Sequence, residues 1–406
     1  MAVIYSNYLK SVIKLNFLLT HYKRRKYQDM QNRPTIIGIL GGGQLGRMLA
    51  QAASSFNVEL RVLDSDPTCP CSTLVPRCTN QSFRDEAAVY NFGKDCDVIT
   101  IEIEDVSVPA LKRLAAEGKL VIPAPEIIEV IQDKGLQKQF LQSNEIASAP
   151  FRLVDSPANA FDQDTQYPIV VKLRRGGYDG RGVVVAKTEL EAKNSFNKPC
   201  VVEECVEISK EIAVIVARNS NAEVRVYDPV EMLVNSDANL VDLLSAPAEI
   251  SIEQTETAKN LAIQVAQKIN LVGLLAIEMF VTKSGEILVN EMAPRPHNTG
   301  HHTIEACACS QYEQLTRVLL GLPLGDTALK QPAVMLNILG QPGCAGPANW
   351  SGLDEVLSLS NVHLHVYGKT DTKPFRKMGH VTILDQDLTK ALEKAKFVRS
   401  KLKVIA

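Results

Sequence analysis

The chain has 406 residues, 45% hydrophobic, 22% charged and 5% aromatic, with a formal net charge of −2. That length exceeds one small core and predicts two or three domains. The near-balanced charge gives no general attraction to nucleic acid or to a membrane surface, and so few aromatics disfavour a stacking platform for single strands.

Residues 1–33 carry seven basic side chains (Lys10, Lys14, Lys23, Arg24, Arg25, Lys26 and Arg33) against one acid, Asp29. Lys10 and Lys14 interrupt an apolar stretch that is too short to span a membrane. The segment reads as a targeting or membrane-surface helix or, more simply, as a non-native extension ahead of a start at Met30. A short apolar strand over 35–40 runs into Gly41-Gly-Gly-Gln-Leu-Gly46. A helix follows, with Leu45, Met48, Leu49, Ala52, Ala53 and Phe56 at helical spacing. Strands over 58–63 and 97–103 end at Asp64 and at Glu102-Ile-Glu104. This alternation predicts a βαβ domain with a parallel sheet over 34–124.

A second domain is expected over 125–325. It holds helical patterns at 126–144, strands at 168–173 and 183–186 around a Gly-rich loop, strands at 200–205 and 211–217, and a helix at 252–269. Two apolar runs, 274–281 and 286–289, then form a hairpin. A third region, 326–406, holds strands at 333–339 and 362–367, a Gly/Pro-rich loop between them and a last helix from Leu388. Nine cysteines, an odd number without a C-x-x-C pair, argue against a zinc ribbon or thioredoxin-type site and for reduced thiols in a cytoplasmic protein.

The hairpin and the segment after it carry the densest chemistry. Residues 290–303 place Asn290, Glu291, Arg295, His297, His301 and His302 within fourteen positions. A two-residue turn centred on Ser284-Gly285 sets Glu278 opposite Glu291. Opposed like charges are destabilising, and a cation between them is the remedy. Mg²⁺ suits one or two carboxylates plus substrate phosphates. The plainer alternative is a pair of solvated glutamates.

Two glycine clusters point to phosphate. Gly41, Gly43 and Gly46 match G-x-G-x-x-G, with Asp64 placed as in a dinucleotide fingerprint. Glycines there let a phosphate approach amides at a helix N-terminus whatever it belongs to, so a nucleotide-dependent oxidoreductase is one reading among several. Arg174-Arg-Gly-Gly-Tyr-Asp-Gly-Arg-Gly182 reads as a hairpin lid over polyphosphate, with Lys172 at its root. Glu203 and Glu204, with Glu211 farther on, suit an adenine and ribose contact but equally suit solvated acids. His363 and His365 alternate in a strand and read as packing or exposed residues; Lys369 and Arg376 flank the loop that follows.

IGILGGGQLGRMLAQAA (37–53), TIEIEDV (100–106), RRGGYDGRG (174–182), NEMAPRPHNTGHHT (290–303), SQYEQ (310–314) and GKTDTKPFRKMGHV (368–381), in this order, resemble the ATP-grasp superfamily. Within it they resemble the N5-carboxyaminoimidazole ribonucleotide synthase family of purine biosynthesis. The resemblance implies an α/β fold: a Rossmann-like pre-ATP-grasp domain, a two-part ATP-grasp domain and a small β-rich C-terminal domain. It implies ATP held by Lys134, Lys172, Glu203, Glu204, Val206, Glu211 and Asn290. Mg²⁺, or Mn²⁺ in its place, would sit on Glu278 and Glu291. Bicarbonate would meet Arg295 and His297. Aminoimidazole ribonucleotide would meet Gly43, Gln44, Leu45, Tyr178, Asp179, Arg181, Lys369 and Arg376. A homodimer and a separate mutase to take the product onward are further expectations. Leu173, His302, Cys309 and Asp105 depart from the family pattern without removing a charge the chemistry needs. A formate-using ATP-grasp transformylase shares the ATP apparatus, and a non-catalytic nucleotide sensor would not require the paired glutamates.

Overall fold

A computed structural model describes residues 33–157, 165–177, 182–235 and 240–406. The expected extension over 1–33 lies, but for Arg33, outside them. The first sheet has five parallel strands. Their spatial order is Arg77–Asn80, Val58–Asp64, Thr35–Leu40, Val98–Ile101 and Leu120–Val121. The chain order reverses beside Thr35–Leu40, where a crevice opens beyond the strand ends. The Gly loop, Asp64 and Glu102 all emerge there. Helix Gln44–Ala53 follows the loop and buries Leu45, Met48 and Leu49.

The helical patterns expected over 126–144 form two helices, Pro125–Ile131 and Lys134–Ser143. Asp133 breaks the run and caps the second, accepting from the amides of Gly135 and Leu136. A four-stranded antiparallel sheet follows, ordered Phe151–Val154, Cys200–Glu204, Ile169–Leu173 and Val183–Ala186.

The largest sheet has nine strands. The hairpin Gly273–Thr282 and Ile287–Ala293 forms one side, then come Ile208–Arg218, Val230–Asn235 and Leu240–Ala246. Ala333–Leu339, Lys377–Leu384 and Val362–Val366 continue the sheet, so C-terminal strands are hydrogen-bonded to central ones. Helix Ile252–Lys268, started by a Ser251/Gln254 capping box, covers one face. Helix Gln311–Leu319 packs against Gln44–Ala53, and Leu45, Met48 and Leu49 share one apolar core with Tyr312, Leu315 and Leu319. Burying such side chains contributes roughly 1.5–3 kcal/mol each, which fixes the first glycine loop relative to the hairpin. Among the described residues no helix is long and apolar enough to cross a membrane. All nine cysteines are free thiols.

Candidate active site

The hairpin turn differs from the expected one. Its loop is Lys283-Ser284-Gly285, closed by bonds between Thr282 and Glu286, with Gly285 at φ 92°. A three-residue loop ending in a left-handed glycine shifts the register by one. Val281 therefore pairs with Ile287 and Met279 with Val289. A bulge at Asn290 shifts it back, and Glu278 stands opposite Glu291 as expected.

Glu211 lies on the neighbouring strand and on the same face, since Ala213 pairs with Glu278 and Glu211 with Phe280. Burial first, and then the charges of Glu291 and Glu211, push the Glu278 carboxyl up to about 7 against the pull of Lys134 and Lys172. Burial likewise raises Glu211. Lys134, first residue of its helix, pairs with Glu291. The site thus holds excess negative charge at the point where the two strands face each other. The residues fit a divalent cation on this ground: both hard oxygen ligands are present, and one of them is already disfavoured as an anion.

Lys172 donates to the bulged Asn290 Oδ1 at 2.8 Å and pairs with Glu203 at 2.7 Å. Glu203 is buried and also meets Lys138 at 3.2 Å. Burial lowers the Lys138 pKa, which Glu203 opposes. The Glu203 side chain is therefore the counter-ion of two lysines, which leaves only its backbone for a ligand and corrects the reading of a free acid. Glu204 is exposed at the strand end and Val206 half-buried beyond it. Arg174 does not hang over the cleft as a free lid cation: its fork grips Asp133 at 2.9 and 2.8 Å, and Arg175 adds a contact at 3.3 Å. Burial alone would raise Asp133, yet the Arg174 bonds outweigh it and hold the carboxyl low. Tyr178, Asp179 and Arg181 lie outside the described residues.

The first glycine loop carries a second correction. Two amides expected to cradle a phosphate are taken by side chains. Gly42 N donates to Asp64 Oδ2 at 2.6 Å, and Leu45 N to Glu102 Oε1 at 3.1 Å. Asp64 also accepts from Asp66 N at 2.8 Å, so it is not presented as a ribose acceptor. Gly43 is glycine for space: a Cβ there would come within 2.3 Å of Glu102 Oε1. Burial pushes Glu102 up to about 7, with Arg295 pulling the other way. Glu102 was not singled out from sequence, although its place at a strand end facing a glycine loop is a signal that could have found it.

The 368–376 loop docks on this region. Gly368 lies beside Arg47 of the glycine-loop helix. The Lys369 charge reaches Glu102 and that of Arg376 reaches Asp66. Lys369 donates to Lys377 O at 2.7 Å and lies 5.6 Å from the Tyr367 ring centre. Arg376 donates to Asp371 O at 2.6 Å.

Arg295 and His297 join the two sides. Arg295 pairs with Glu104 at 2.8 Å and its charge acts on Glu102. The His297 Nε2 faces Glu278 at 3.7 Å while its Nδ1 meets Thr299 Oγ1 at 2.9 Å. Gln311 grips the His297 backbone twice, accepting from its N–H at 2.9 Å and donating to its carbonyl at 2.7 Å. The described candidates therefore form two clusters. Lys134, Lys172, Glu211, Glu278, Asn290 and Glu291 make one; Gly43, Gln44, Leu45, Lys369 and Arg376 make the other, completed by Glu102.

Family models match along the chain: a ribonucleotide synthetase preATP-grasp domain at 35–132, an ATP-grasp domain at 139–312 and a phosphoribosylaminoimidazole carboxylase C-terminal domain at 333–394. The N5-carboxyaminoimidazole ribonucleotide synthase of Brucella melitensis is 40% identical over 360 residues, covering 85% of this chain and 95% of the relative. The crystal structure of the Thermotoga maritima N5-carboxyaminoimidazole ribonucleotide synthetase superposes with a TM-score of 0.85 at 42% identity, covering 92% of this chain and 99% of that one. The Aspergillus clavatus synthase, described in complex with ADP and 5-aminoimidazole ribonucleotide, superposes at 0.82 with 32% identity, covering 91% and 98%. By these matches, which together run along most of its length, this chain belongs to the N5-carboxyaminoimidazole ribonucleotide synthase family of ATP-grasp ligases.

Proposed function

We propose that the chain carboxylates the exocyclic amine of 5-aminoimidazole ribonucleotide, using ATP and bicarbonate and releasing ADP and phosphate. The carrying observation is the pair of clusters joined by one short loop. One cluster is built of lysines and opposed carboxylates, which suits phosphoryl transfer. The other is built of a glycine loop, a buried carboxylate and loop cations, which suits a phosphorylated amine. The Aspergillus relative described with ADP and the ribonucleotide supports a chain that takes both.

Glu278 and Glu291 would hold Mg²⁺, or Mn²⁺ in its place, and the ion would neutralise charge on the transferring phosphate. Lys172 and Lys134 serve the ATP phosphates, with Lys134 exchanging its Glu291 partner for a phosphate oxygen. The backbone of 203–206 reads the adenine and Glu211 the ribose. Arg295 anchors bicarbonate, and His297 orients it as it accepts the phosphoryl group to become carboxyphosphate. The ribonucleotide rests on Gly43, Gln44, Leu45, Tyr178, Arg181, Lys369 and Arg376, and its amine then attacks the activated carbon while Asp179 accepts the proton. Carboxyphosphate is labile to water, so the residues around 174–182 close before transfer. We assign these roles to regions 34–124, 125–325 and 326–406, in a cytoplasmic homodimer that hands its product to a separate mutase.

The test is ADP release with Mg-ATP and bicarbonate, with and without the ribonucleotide. Release must rise with the ribonucleotide and fall when bicarbonate is stripped. In Arg295→Ala, turnover collapses while ATP binding survives. Indifference to the ribonucleotide would reject the reading.

A further inference from the structure

Behind His297 the chain enters a short helical segment, Asn298–Gly300 followed by Thr303–Ala306. Residues 298, 301 and 305 recur at helical spacing and share one face. The C-terminal strands beneath carry a matching polar row. Asn337, His380 and His365 are direct cross-strand partners on Ala333–Leu339, Lys377–Leu384 and Val362–Val366, so all three project from one face of the sheet.

Each helical residue meets one member of the row. Asn298 and Asn337 exchange two amide hydrogen bonds, at 2.8 and 2.9 Å. The His301 and His380 rings stack with centres 4.5 Å apart. Glu305 accepts from His365 Nε2 at 2.7 Å. The row is itself tied together, since His365 and His380 stack at 4.4 Å and 8°. Two phenols hold the central rings: Tyr312 Oη meets His301 Nδ1 at 2.9 Å and Tyr367 Oη meets His380 Nδ1 at 3.0 Å. Burial keeps both imidazoles neutral, pushing each pKa well below its usual value.

We propose that this three-rung ladder is the positioning frame of His297, with Asn337 and His380 fixing the turn that aims the ring at Glu278. His297 immediately precedes the first rung. One ring nitrogen is held by Thr299 of the same segment, and the backbone by Gln311 at the start of the next helix, which leaves the segment's seating on the sheet to the rungs. The ring therefore goes where the segment goes. Three rungs of unlike chemistry specify one docking: an amide pair, an imidazole stack and a carboxylate–imidazole bond do not interchange, and a slip by one turn leaves buried polar groups unmatched. The consequence for turnover rests on the carboxylation reading; the placement of His297 does not.

The test uses full-length protein labelled with ¹³C and ¹⁵N in histidine. The His297 ring signal is assigned from its loss in His297→Gln. Asn337→Leu keeps the branched shape, at some added volume, and removes the first rung. His365→Phe, at the half-exposed outer rung, keeps a stacking ring and removes only the bond to Glu305. Both variants are expected to shift the His297 signal, Asn337→Leu the more, with ADP binding near wild type, although each lowers the melting temperature by leaving Asn298 or Glu305 without its partner. In turnover, kcat of Asn337→Leu falls by about tenfold or more, as small misplacements of reacting groups do, with KM for ATP unchanged. An unmoved His297 signal in both variants overturns the frame. So does a loss spread evenly over kcat and the KM of every substrate in step with melting temperature. Wild-type ADP release judges the carboxylation reading by itself, and the ring signal judges the frame without any turnover.

Discussion

Glu278 and Glu291 face each other on adjacent strands because a one-residue bulge at Asn290 cancels a one-residue shift made by the turn. The bulge does two jobs at once. It restores the pairing of the carboxylates, and it turns the Asn290 amide oxygen toward Lys172, at 2.8 Å. Bulges recur where a strand must re-aim a side chain next to a site. The opposed pair is costly without a cation, and that cost is measurable.

Glu278→Gln is expected to abolish turnover and to stabilise the ligand-free fold at alkaline pH. The Glu278 carboxyl titrates near 7 in the fold, above the ordinary value of 4.5. Below 4.5 both folded and unfolded chains carry the proton, and there is no penalty. As pH rises the unfolded chain ionises first, so the penalty grows up to about 7 and then stays constant. Its full size is on the order of 2–3 kcal/mol, allowing for partial exposure. Urea unfolding of variant and wild type at pH 8 and pH 4.5 checks this. A stabilisation equal at both pH values would refute the titration as its cause.

How much of this was legible in the sequence depends on the range of the interaction concerned. The strand Thr35–Leu40, the glycine loop and the hairpin are local patterns, and they stand where periodicity placed them. The opposed glutamates were legible too, but through a two-residue turn that does not exist; the bulge that compensates leaves no mark in hydrophobic alternation. The cap that Asp133 makes on the amides of Gly135 and Leu136 is local, whereas its pairing with Arg174, 41 positions away, leaves no mark in the sequence. His380 was invisible as part of the ladder, since only strand register sets it between His301 and His365. Side-chain partners brought together by sheet pairing cannot be read before that pairing is known.

Gly43→Ala should weaken the ribonucleotide side selectively. The added Cβ would lie 2.3 Å from Glu102 Oε1, so the carboxylate must move and give up its bond from Leu45 N. Overpacking of this kind costs roughly 1–3 kcal/mol. The KM for the ribonucleotide is expected to rise several-fold more than the KM for ATP, since Glu102 belongs to the cluster that does not hold Lys134 and Lys172. Equal effects on both constants in steady-state kinetics would disprove the division into two sides.

Lys172→Met should separate stability from nucleotide binding. It removes one of two lysines on the buried Glu203, and breaking a buried ion network costs on the order of 3 kcal/mol. Lys138 still pairs with Glu203 in that chain, so the loss should be partial, whereas Glu203→Gln leaves both lysines without their carboxylate and should destabilise more. ATP affinity should order the other way and fall more in Lys172→Met, because that variant lacks the phosphate ligand. Thermal melts with ATP titrations of the two single variants check it. ATP affinity that follows melting temperature in both variants would mean that Lys172 acts only through the fold.

Acid should destabilise the protein through histidines that burial keeps neutral. The His302 pKa is held down to about 4 by burial, partly offset by its bond to Thr299 O at 3.1 Å. Above 6.5 neither state of the chain is protonated at this ring, and its contribution to stability is complete. As pH falls below 6.5 the unfolded chain takes up the proton and the fold does not, so stability drops until about 4. The loss is about 1.4 kcal/mol per pH unit for one such group, or about 2 kcal/mol between pH 6.5 and 5. His301 and His380 act in the same direction, whereas Glu102 and Glu278, whose pKa values are raised, oppose it. The net slope of the wild type therefore does not isolate any one ring. The difference between wild type and His302→Phe does: the variant should lose about 2 kcal/mol less than wild type between pH 7 and 5 in urea unfolding. Parallel losses in the two proteins would show that this ring is protonated in the fold or that another group governs the acid limb.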